Sequence, residues 1–495
     1  MSALPVLTPE ELRGVESRAA AGGASLMELA GRAAADRARR IAADTGAAIL
    51  VVAGPGNNGG DAWVAAAHLL ESFHRVVLFD VTGAAPKAVA AQAAKSVFAG
   101  RGGAIVREWP AGLRPSLVID GLLGLGLARA VDAEFADVIE RINALGVPVL
   151  ALDVPSGLDS RTGRVRGVAV RATHTLTFIA RKVGLHTLEG PDHCGEIECD
   201  DLGTADDVRA AARGMLLTPE LVSPWLARRA RNSHKGDFGA VAVVGGNRGM
   251  VGAALLAGRA ALFGGAGKVR VGLLSPDALS ADPQQPELMF GSIDDALAAE
   301  VLVAGPGAGR SPSATSVSMF ERSVMPTVIA AQKPLVLDAD ALNAVAFNEG
   351  LANSLARRTH AGTILTPHPA EGARLLGRTT EEVQADRLGA ALDLARRFRA
   401  YIVLKGAGSI CAFPDGRWSV NTTGNAGLAA AGSGDVLAGL VVGLLARGAD
   451  PAQAACWGTY LHAMAGERLA SAVGEVGFLA RELVDQVPAV VAELS

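Results

Sequence analysis

One rhythm constrains this chain more than any other feature: a short unbroken apolar run, a turn rich in glycine or acid, then a helical segment. In the first half, apolar runs at residues 47–53, 75–81, 116–119 and 147–152 alternate with helix-like segments at 61–73, 86–99 and 133–145. After a break the rhythm restarts, with runs at 240–244, 268–273, 300–304, 335–337, 363–365 and 401–404. Strands without polar alternation are buried on both faces, and the helices between them are the crossovers of a parallel sheet. The expected class is α/β, with a doubly wound parallel sheet in the first half and a second α/β sheet where the rhythm restarts. At 495 residues the chain exceeds one ordinary core, so two domains are expected, 1–212 and 213–495. The boundary falls where residues 200–231 lose the alternation and carry Pro219, Pro224 and the basic run Arg228-Arg229-Ala230-Arg231. That run reads as solvated surface, or as an anion-facing lid.

Ligands of such sheets bind beyond the carboxyl ends of the strands, so the strand ends hold the functional information. Three stand out in the first half: Gly54-Pro55-Gly56-Asn57-Asn58-Gly59-Gly60-Asp61, Asp120-Gly121-Leu122-Leu123-Gly124, and Asp153-Val154-Pro155-Ser156-Gly157. The first has neither the Lys-Ser/Thr of a Walker A loop nor the spacing of GxGxxG. Its amides and carboxylate are hard oxygen donors for a ribose, an amide or K⁺; they equally suit a sharp turn capped by Asp61. In the second half, Gly305-Pro306-Gly307, Asp338-Ala339-Asp340, Thr366-Pro367-His368-Pro369 and Lys405-Gly406-Ala407-Gly408-Ser409 end successive runs. Taken singly, Asp338 and Asp340 are candidate helix caps, and His368 a rigid turn bonded to backbone. Residues 424–440, GNAGLAAAGSGDVLAGL, end in Gly432-Ser433-Gly434-Asp435 before an apolar helix. Glycine amides and a helix N-terminus there would cradle an anion. Asp435 would repel that anion, unless it serves a reacting hydroxyl or only caps the helix.

Other patterns bound the function. Thr8-Pro9-Glu10-Glu11 and Ser25-Leu26-Met27-Glu28 read as capping boxes opening two helices. Net charge is −4 and aromatics make up 4%, which argues against nucleic acid. No apolar run reaches the ~20 residues of a membrane span, and the N-terminus lacks a signal-peptide pattern. Cys194, Cys199, Cys411 and Cys456 are too irregular for a zinc site. A soluble, cytoplasmic protein is expected.

In order and spacing, NNGGDA, DGLLGLGL and DVPSGLDS, preceded by LMELAG, resemble the YjeF-type N-terminal domain, the NAD(P)H-hydrate epimerase, over roughly residues 1–205. The resemblance implies a Rossmann-like domain and a K⁺ held by Asn58, Asp120 and Ser156. It also implies a hydrated nicotinamide nucleotide lying against Asn57, Asn58, Gly59, Gly60 and Asp61, against Gly124, Leu125, Gly126, Leu127, Ala128, Arg129 and Ala130, and against Asp153. Ala62 stands where the family has glycine. GGNRGMVGA, PGAG, DADALN, TPHPAE, KGAGS and GSGD resemble the YjeF C-terminal domain, a ribokinase-like dehydratase, over about 214–495. That family uses ADP in bacterial fusions and ATP in eukaryotic relatives. Lys405, Gly406, Ala407, Gly408, Ser409 and Gly434 then match the adenine-nucleotide site, and Ala253, Gly307, His368 and Asp435 the hydrated nucleotide. Asn247 replaces a usual serine, and NAGLAAAGSGD varies a pattern nearer NPGMATGGTGD.

The implied partners are hydrated NADH or NADPH and ADP, with Mg²⁺ on the phosphates and no assignable ligand set, in a homo-oligomer without nucleic acid or membrane. The expected catalytic groups are Asp435, taking a hydroxyl proton for phosphoryl transfer, and Asp153, an acid/base for epimerisation. The rival expectations are a vitamin-precursor kinase, which shares GxGD but not the NNGGD domain, and a first domain acting only as a binding scaffold.

Overall fold

A computed structural model describes the chain except residues 1–3, 24, 43–45, 84–87, 128, 224–229, 278, 310–317, 360–361 and 495. Arg228 and Arg229 of the basic run therefore lie outside the described residues. The chain divides into two compact units, Pro5–Gly214 and Met215–Ser495, the latter taking in Leu4 as well.

Seven parallel strands build the first unit, in the order Ala104–Val106, Val76–Asp80, Ile49–Ala53, Leu117–Gly121, Val149–Leu152, His174–Phe178, Glu196–Asp200. Strand order reverses between Ile49–Ala53 and Leu117–Gly121, which opens a crevice at their carboxyl ends. Leu117–Gly121 runs two residues past its expected end, because Asp120 pairs with Val52 and Gly121 with Ala53. Asp120 is thus fully buried in the sheet. The NNGG segment is not a loop: it forms the first turn of the helix Asn57–Glu71. A Cβ on Gly59 would sit 1.9 Å from the Gly54 carbonyl oxygen, so glycine here permits backbone contact.

Two strands, His174–Phe178 and Glu196–Asp200, escape an apolar-run reading because threonines and glutamates interrupt them. The buried Thr175 hydroxyl is satisfied by donating to Cys194 O at 2.7 Å. Thr8 and Glu11 form the expected reciprocal cap. Ser25 makes no cap bond; its expected partner Glu28 instead meets His68 Nε2 at 2.8 Å.

In the second unit seven parallel strands run Met289–Gly291, Lys268–Leu273, Ala240–Gly245, Val301–Ala304, Leu335–Leu337, Thr363–Leu365, Tyr401–Leu404. Ser409–Ala412 and Trp418–Asn421 add antiparallel at the Tyr401–Leu404 side. The reversal lies between Ala240–Gly245 and Val301–Ala304. The helix Ser433–Ala446 is apolar almost all round because it is enclosed, with Val251–Phe263 and Pro451–Val473 packed against it. Among the described residues no helix is long and apolar enough to cross a membrane. All four cysteines are free.

Candidate active sites

In the first unit the carboxyl ends of the central strands open onto a cavity of about 950 Å³. Asn57, Asn58 and Asp61 line it from the start of their helix. Gly124, Leu125, Gly126 and Leu127 line it from the facing loop, with Arg129 and Ala130 beyond. Ala128 lies outside the described residues. Gly59 and Gly60 do not reach it; they are buried behind, against Gly54 and Met27.

The three expected cation ligands are tied together through Leu123. Asn58 Nδ2 donates to Leu123 O at 2.7 Å, Leu123 N donates to Ser156 Oγ at 2.8 Å, and Ser156 Oγ donates to Asp120 Oδ1 at 2.6 Å. Burial pushes Asp120 above the usual carboxylate range, opposed by its bonds from Ser156 and Leu122. Asn58 Oδ1 is buried with no hydrogen-bond partner. An acceptor left that way costs about 1–3 kcal/mol, which a cation beside it would remove. A carboxylate, an amide oxygen and a hydroxyl linked through Leu123 are donors of the kind that would suit a weakly hydrated monovalent ion.

Asp153 ends the strand Val149–Leu152 with φ of +63°, a backbone that side chains rarely adopt. The turn brings its carboxylate to Lys182, which is 1% exposed and ion-paired with it. Lys182 Nζ also donates to Thr177 Oγ1 and Phe178 O, each at 2.8 Å. Two other carboxyls share the neighbourhood. Burial, then the Asp153 charge, push Asp61 well above the usual range and raise Glu16 in the same way.

In the second unit the strand ends converge on Lys405. Its Nζ donates to Asp338 Oδ1 at 2.8 Å and lies 4.0 Å from Glu371 Oε2. Thr366 Oγ1 donates to the same Asp338 oxygen at 2.8 Å. A Cβ on Gly434 would meet Lys405 Nζ at 3.2 Å, which places the ammonium directly at the GSGD turn. Gly432 takes φ of +88° just before the helix, so Ser433, Gly434 and Asp435 are its first turn, where N–H groups lack intrahelical partners; that of Ser433 donates back to Ala430 O at 3.2 Å. Burial, then Asp338, raise Asp435 to about 7, with Lys405 opposing. Burial raises Glu371 to about 7, again against Lys405. Burial works to lower Lys405, but Asp338 and Glu371 prevail and raise it.

Neither Asp338 nor Asp340 is a helix cap. Asp338 holds Lys405 and Thr366, while Asp340 accepts the Gly309 N–H at 2.8 Å. Asp435 is not a cap either; it is the third helical residue. His368 does bond backbone, its Nδ1 accepting the Ala370 N–H at 3.2 Å, and its Nε2 faces Glu371 at 3.3 Å. Burial, then Lys405, lower its basicity. Gly307, in the loop after Val301–Ala304, meets Ala253 in the first turn of the helix Val251–Phe263: a Gly307 Cβ would lie 2.9 Å from that of Ala253. Asn247, the substituted position, donates to Ala308 O at 3.2 Å and helps hold that joint. Gly406 and Ser409 close their loop on each other, the Gly406 N–H donating to Ser409 Oγ at 3.2 Å. A cavity of about 740 Å³ opens elsewhere in this unit, by residues such as Gln332 and Thr359 that precede strands, at the edge opposite these groups.

Sequence reasoning missed Lys182, Glu371, Arg387 and His462. Arg387 is buried and donates to the carbonyls of Leu404, Lys405 and Gly408 beneath the KGAGS loop; burial lowers it to about 10. His462 Nε2 lies 3.0 Å from both the hydroxyl and the carbonyl oxygen of Ser433, and burial lowers it to about 4. Only Glu371 carried a usable signal, three residues after His368 in a capping-box spacing.

Residues 23–184 match the family model of the YjeF-related protein N-terminus, and residues 241–489 that of NAD(P)H-hydrate dehydratase. A bifunctional NAD(P)H-hydrate repair enzyme of Coxiella burnetii is 38% identical, covering 96% of each chain. One from Escherichia coli is 36% identical over 89% of this chain and 84% of its own. Among solved structures, a ribokinase-like superfamily protein of Enterococcus faecalis matches 57% of this chain and 97% of its own, at 25% identity and a TM-score of 0.50. With two family models placed on its two units and relatives matched along nearly its full length, the chain belongs to the family of bifunctional NAD(P)H-hydrate repair enzymes.

Proposed function

We propose that the first domain interconverts the R and S hydrates of NADH and NADPH, and that the second returns the S hydrate to NAD(P)H using ADP, with AMP and phosphate as products. The observation that carries the dehydratase reading is the carboxyl of Asp435 in the first turn of a helix, beside Lys405, poised near neutral pH.

Hydroxide is a poor leaving group, so the substrate hydroxyl is first made a phosphate ester. Asp435 takes the hydroxyl proton; the oxygen attacks the terminal phosphorus of ADP and the bond to AMP breaks. The Gly432–Gly434 turn and Lys405 stabilise the charge on the transferring group. The ring-nitrogen lone pair then expels phosphate as the neighbouring carbon loses a proton, restoring the dihydronicotinamide. Lys405, Gly406, Ala407, Gly408 and Ser409 hold the nucleotide, on a loop whose carbonyls Arg387 draws inward. Ala253, Gly307 and His368 hold the hydrated ring nucleotide. Among the described residues no group of three His, Cys, Asp or Glu side chains is placed to hold a metal ion. Mg²⁺ bound to the diphosphate would neutralise part of its charge.

In the first domain Asp153 is the acid/base for opening at the hydroxyl-bearing carbon. Asn58, Asp120 and Ser156 hold K⁺, supported by the unpartnered Asn58 oxygen. A homo-oligomer in the cytoplasm, where the four thiols stay reduced, completes the reading.

The test is to supply the full chain with mixed hydrate epimers and ADP, ATP or no nucleotide, and to follow both epimers and NADH by HPLC. Asp435→Ala should abolish NADH formation and leave epimer interconversion intact. Asp153→Ala should repair S while R accumulates. NADH formed at a normal rate by Asp435→Ala removes that residue as base. A stable phosphorylated product would make the second domain a small-molecule kinase.

A further inference from the structure

Among the described residues of the first unit Lys182 is the most enclosed cation, and no motif accounts for it. A lysine is rarely buried to 1% exposure unless every ammonium proton is used and a carboxylate faces it. Here both hold: Nζ donates to Asp153 Oδ1, Thr177 Oγ1 and Phe178 O. The distribution of bonds on Asp153 is uneven. Lys182, the Thr177 hydroxyl and the Phe178 N–H at 3.1 Å all converge on Oδ1, and none of them reaches Oδ2. Asp153 and Lys182 both line the substrate-sized cavity, and Asp61 lines it from the start of its helix.

We propose that Lys182 is a positioning residue for epimerisation, fixing Asp153 through Oδ1 so that Oδ2 is the proton acceptor, with Asp61 as the proton donor. This rests on the assignment of Asp153 as the acid/base. Asp153 Oδ2 takes the proton of the substrate hydroxyl, and the oxygen lone pair forms a carbonyl. The bond from that carbon to the ring nitrogen breaks, its electron pair goes to nitrogen, and Asp61 delivers a proton there. Rotation of the free aldehyde and the reverse sequence close the ring on the other face. No redox partner is needed, and both carboxyls return to their starting states. The charged and titratable groups around Asp153 are Lys182, Asp61 from Asn57–Glu71, Glu16 from Pro9–Ala21, and Cys199 from Glu196–Asp200, with Arg13 beside Glu16. Asp61 is the one whose environment most favours the protonated acid, through burial and the facing Asp153 charge.

The test uses the full chain, with dehydration of purified S hydrate as an internal control of the other domain. Lys182→Met should lower epimerisation kcat at pH 7 at least 100-fold and change KM for the hydrate less than threefold. The acid limb of its pH profile should move up by a unit or more, because Asp153 without its ammonium ionises less readily. Asp61→Asn should lower kcat at least 100-fold at every pH. A Lys182→Met protein with the native kcat or the native acid limb overturns the proposal. If Lys182→Met fails to fold, Thr177→Val decides: the milder loss should cost 3- to 10-fold in kcat with an upward limb shift, and a native profile overturns the proposal. Asp153→Ala is run beside them. If it epimerises normally, the acid/base assignment itself fails; if it is inactive while Lys182→Met is native, only the role of Lys182 falls.

Discussion

Replacing Lys405 with methionine tests whether one cation sets the protonation of the dehydratase site. Its Nζ lies 2.8 Å from Asp338 and 4.0 Å from Glu371, with Asp435 in the same field. Two unit charges 4 Å apart interact by about 1 kcal/mol in water and about 4 kcal/mol at an effective dielectric of 20. At 1.36 kcal/mol per pKa unit, removing the ammonium displaces Glu371 by about 1–3 units. Lys405 holds both Glu371 and Asp435 down, so its loss raises both from their present positions near 7. A base raised from about 7 to between about 8 and 10 loses roughly 5- to 500-fold of its ionised fraction at pH 7.

The assay is the initial rise of dihydronicotinamide absorbance from pH 5.5 to about 9.5, at saturating S hydrate, with KM for ADP measured at each pH so that weaker nucleotide binding is separated from the chemistry. Breaking a buried pair costs about 3–5 kcal/mol, so thermal unfolding is recorded in parallel. The expected outcome is an acid limb moved up by at least one unit, with partial recovery of kcat in alkali. A rate reduced equally at every pH refutes the electrostatic reasoning and leaves Lys405 a nucleotide contact alone.

Two further outcomes test the first domain. Potassium should raise its melting temperature, by up to about 2.7 kcal/mol of stabilisation at a hundredfold excess over Kd, and Asn58→Ala should lose that response; calorimetry with Na⁺ as control checks it, and an equal response in the variant removes Asn58 as a ligand. Gly59→Ala should cost roughly 3 kcal/mol or more, because its Cβ falls 1.9 Å from the Gly54 carbonyl oxygen, whereas Gly56→Ala, with nothing within 4 Å of its Cβ, should unfold near the native denaturant concentration; similar midpoints for the two would contradict the packing account of that helix start.

Much of this was legible because buried parallel strands announce themselves as apolar runs, and the turns after them carry the chemistry. The central strands of both sheets were readable that way. The failures share a cause. His174–Phe178 and Glu196–Asp200 contain polar residues whose bonding depends on neighbours distant in sequence, such as Thr175 to Cys194 O. NNGG looked like a loop because glycine marks turns, yet here it admits a backbone contact inside a helix. Asp338 and Asp340 looked like caps because capping is local, whereas their partners, Lys405 and Gly309, arrive from other strand ends. Lys182 was invisible for the same reason: in RKVGL nothing distinguishes a buried ammonium from a surface one until the sheet brings Asp153 to it.

The two units arrive at one electrostatic arrangement by separate sequences. A strand-end aspartate, Asp153 or Asp338, receives both a lysine ammonium and a threonine hydroxyl on a single oxygen. Burial disfavours ionisation of a second carboxyl nearby, Asp61 or Asp435, and the charge of the first acts in the same direction. In both, burial is the largest cause and the lysine opposes it. Lys182 divides its protons among Asp153, Thr177 and Phe178, and burial, then the Asp153 charge, drive Asp61 well above the usual range. Lys405 donates to Asp338 and stands at the helix turn that carries Asp435, which is raised to about 7. Opening a hemiaminal calls for a proton at nitrogen, and activating a hydroxyl for phosphoryl transfer calls for a proton acceptor. On the proposed roles, Asp61 would meet the first need and Asp435 the second.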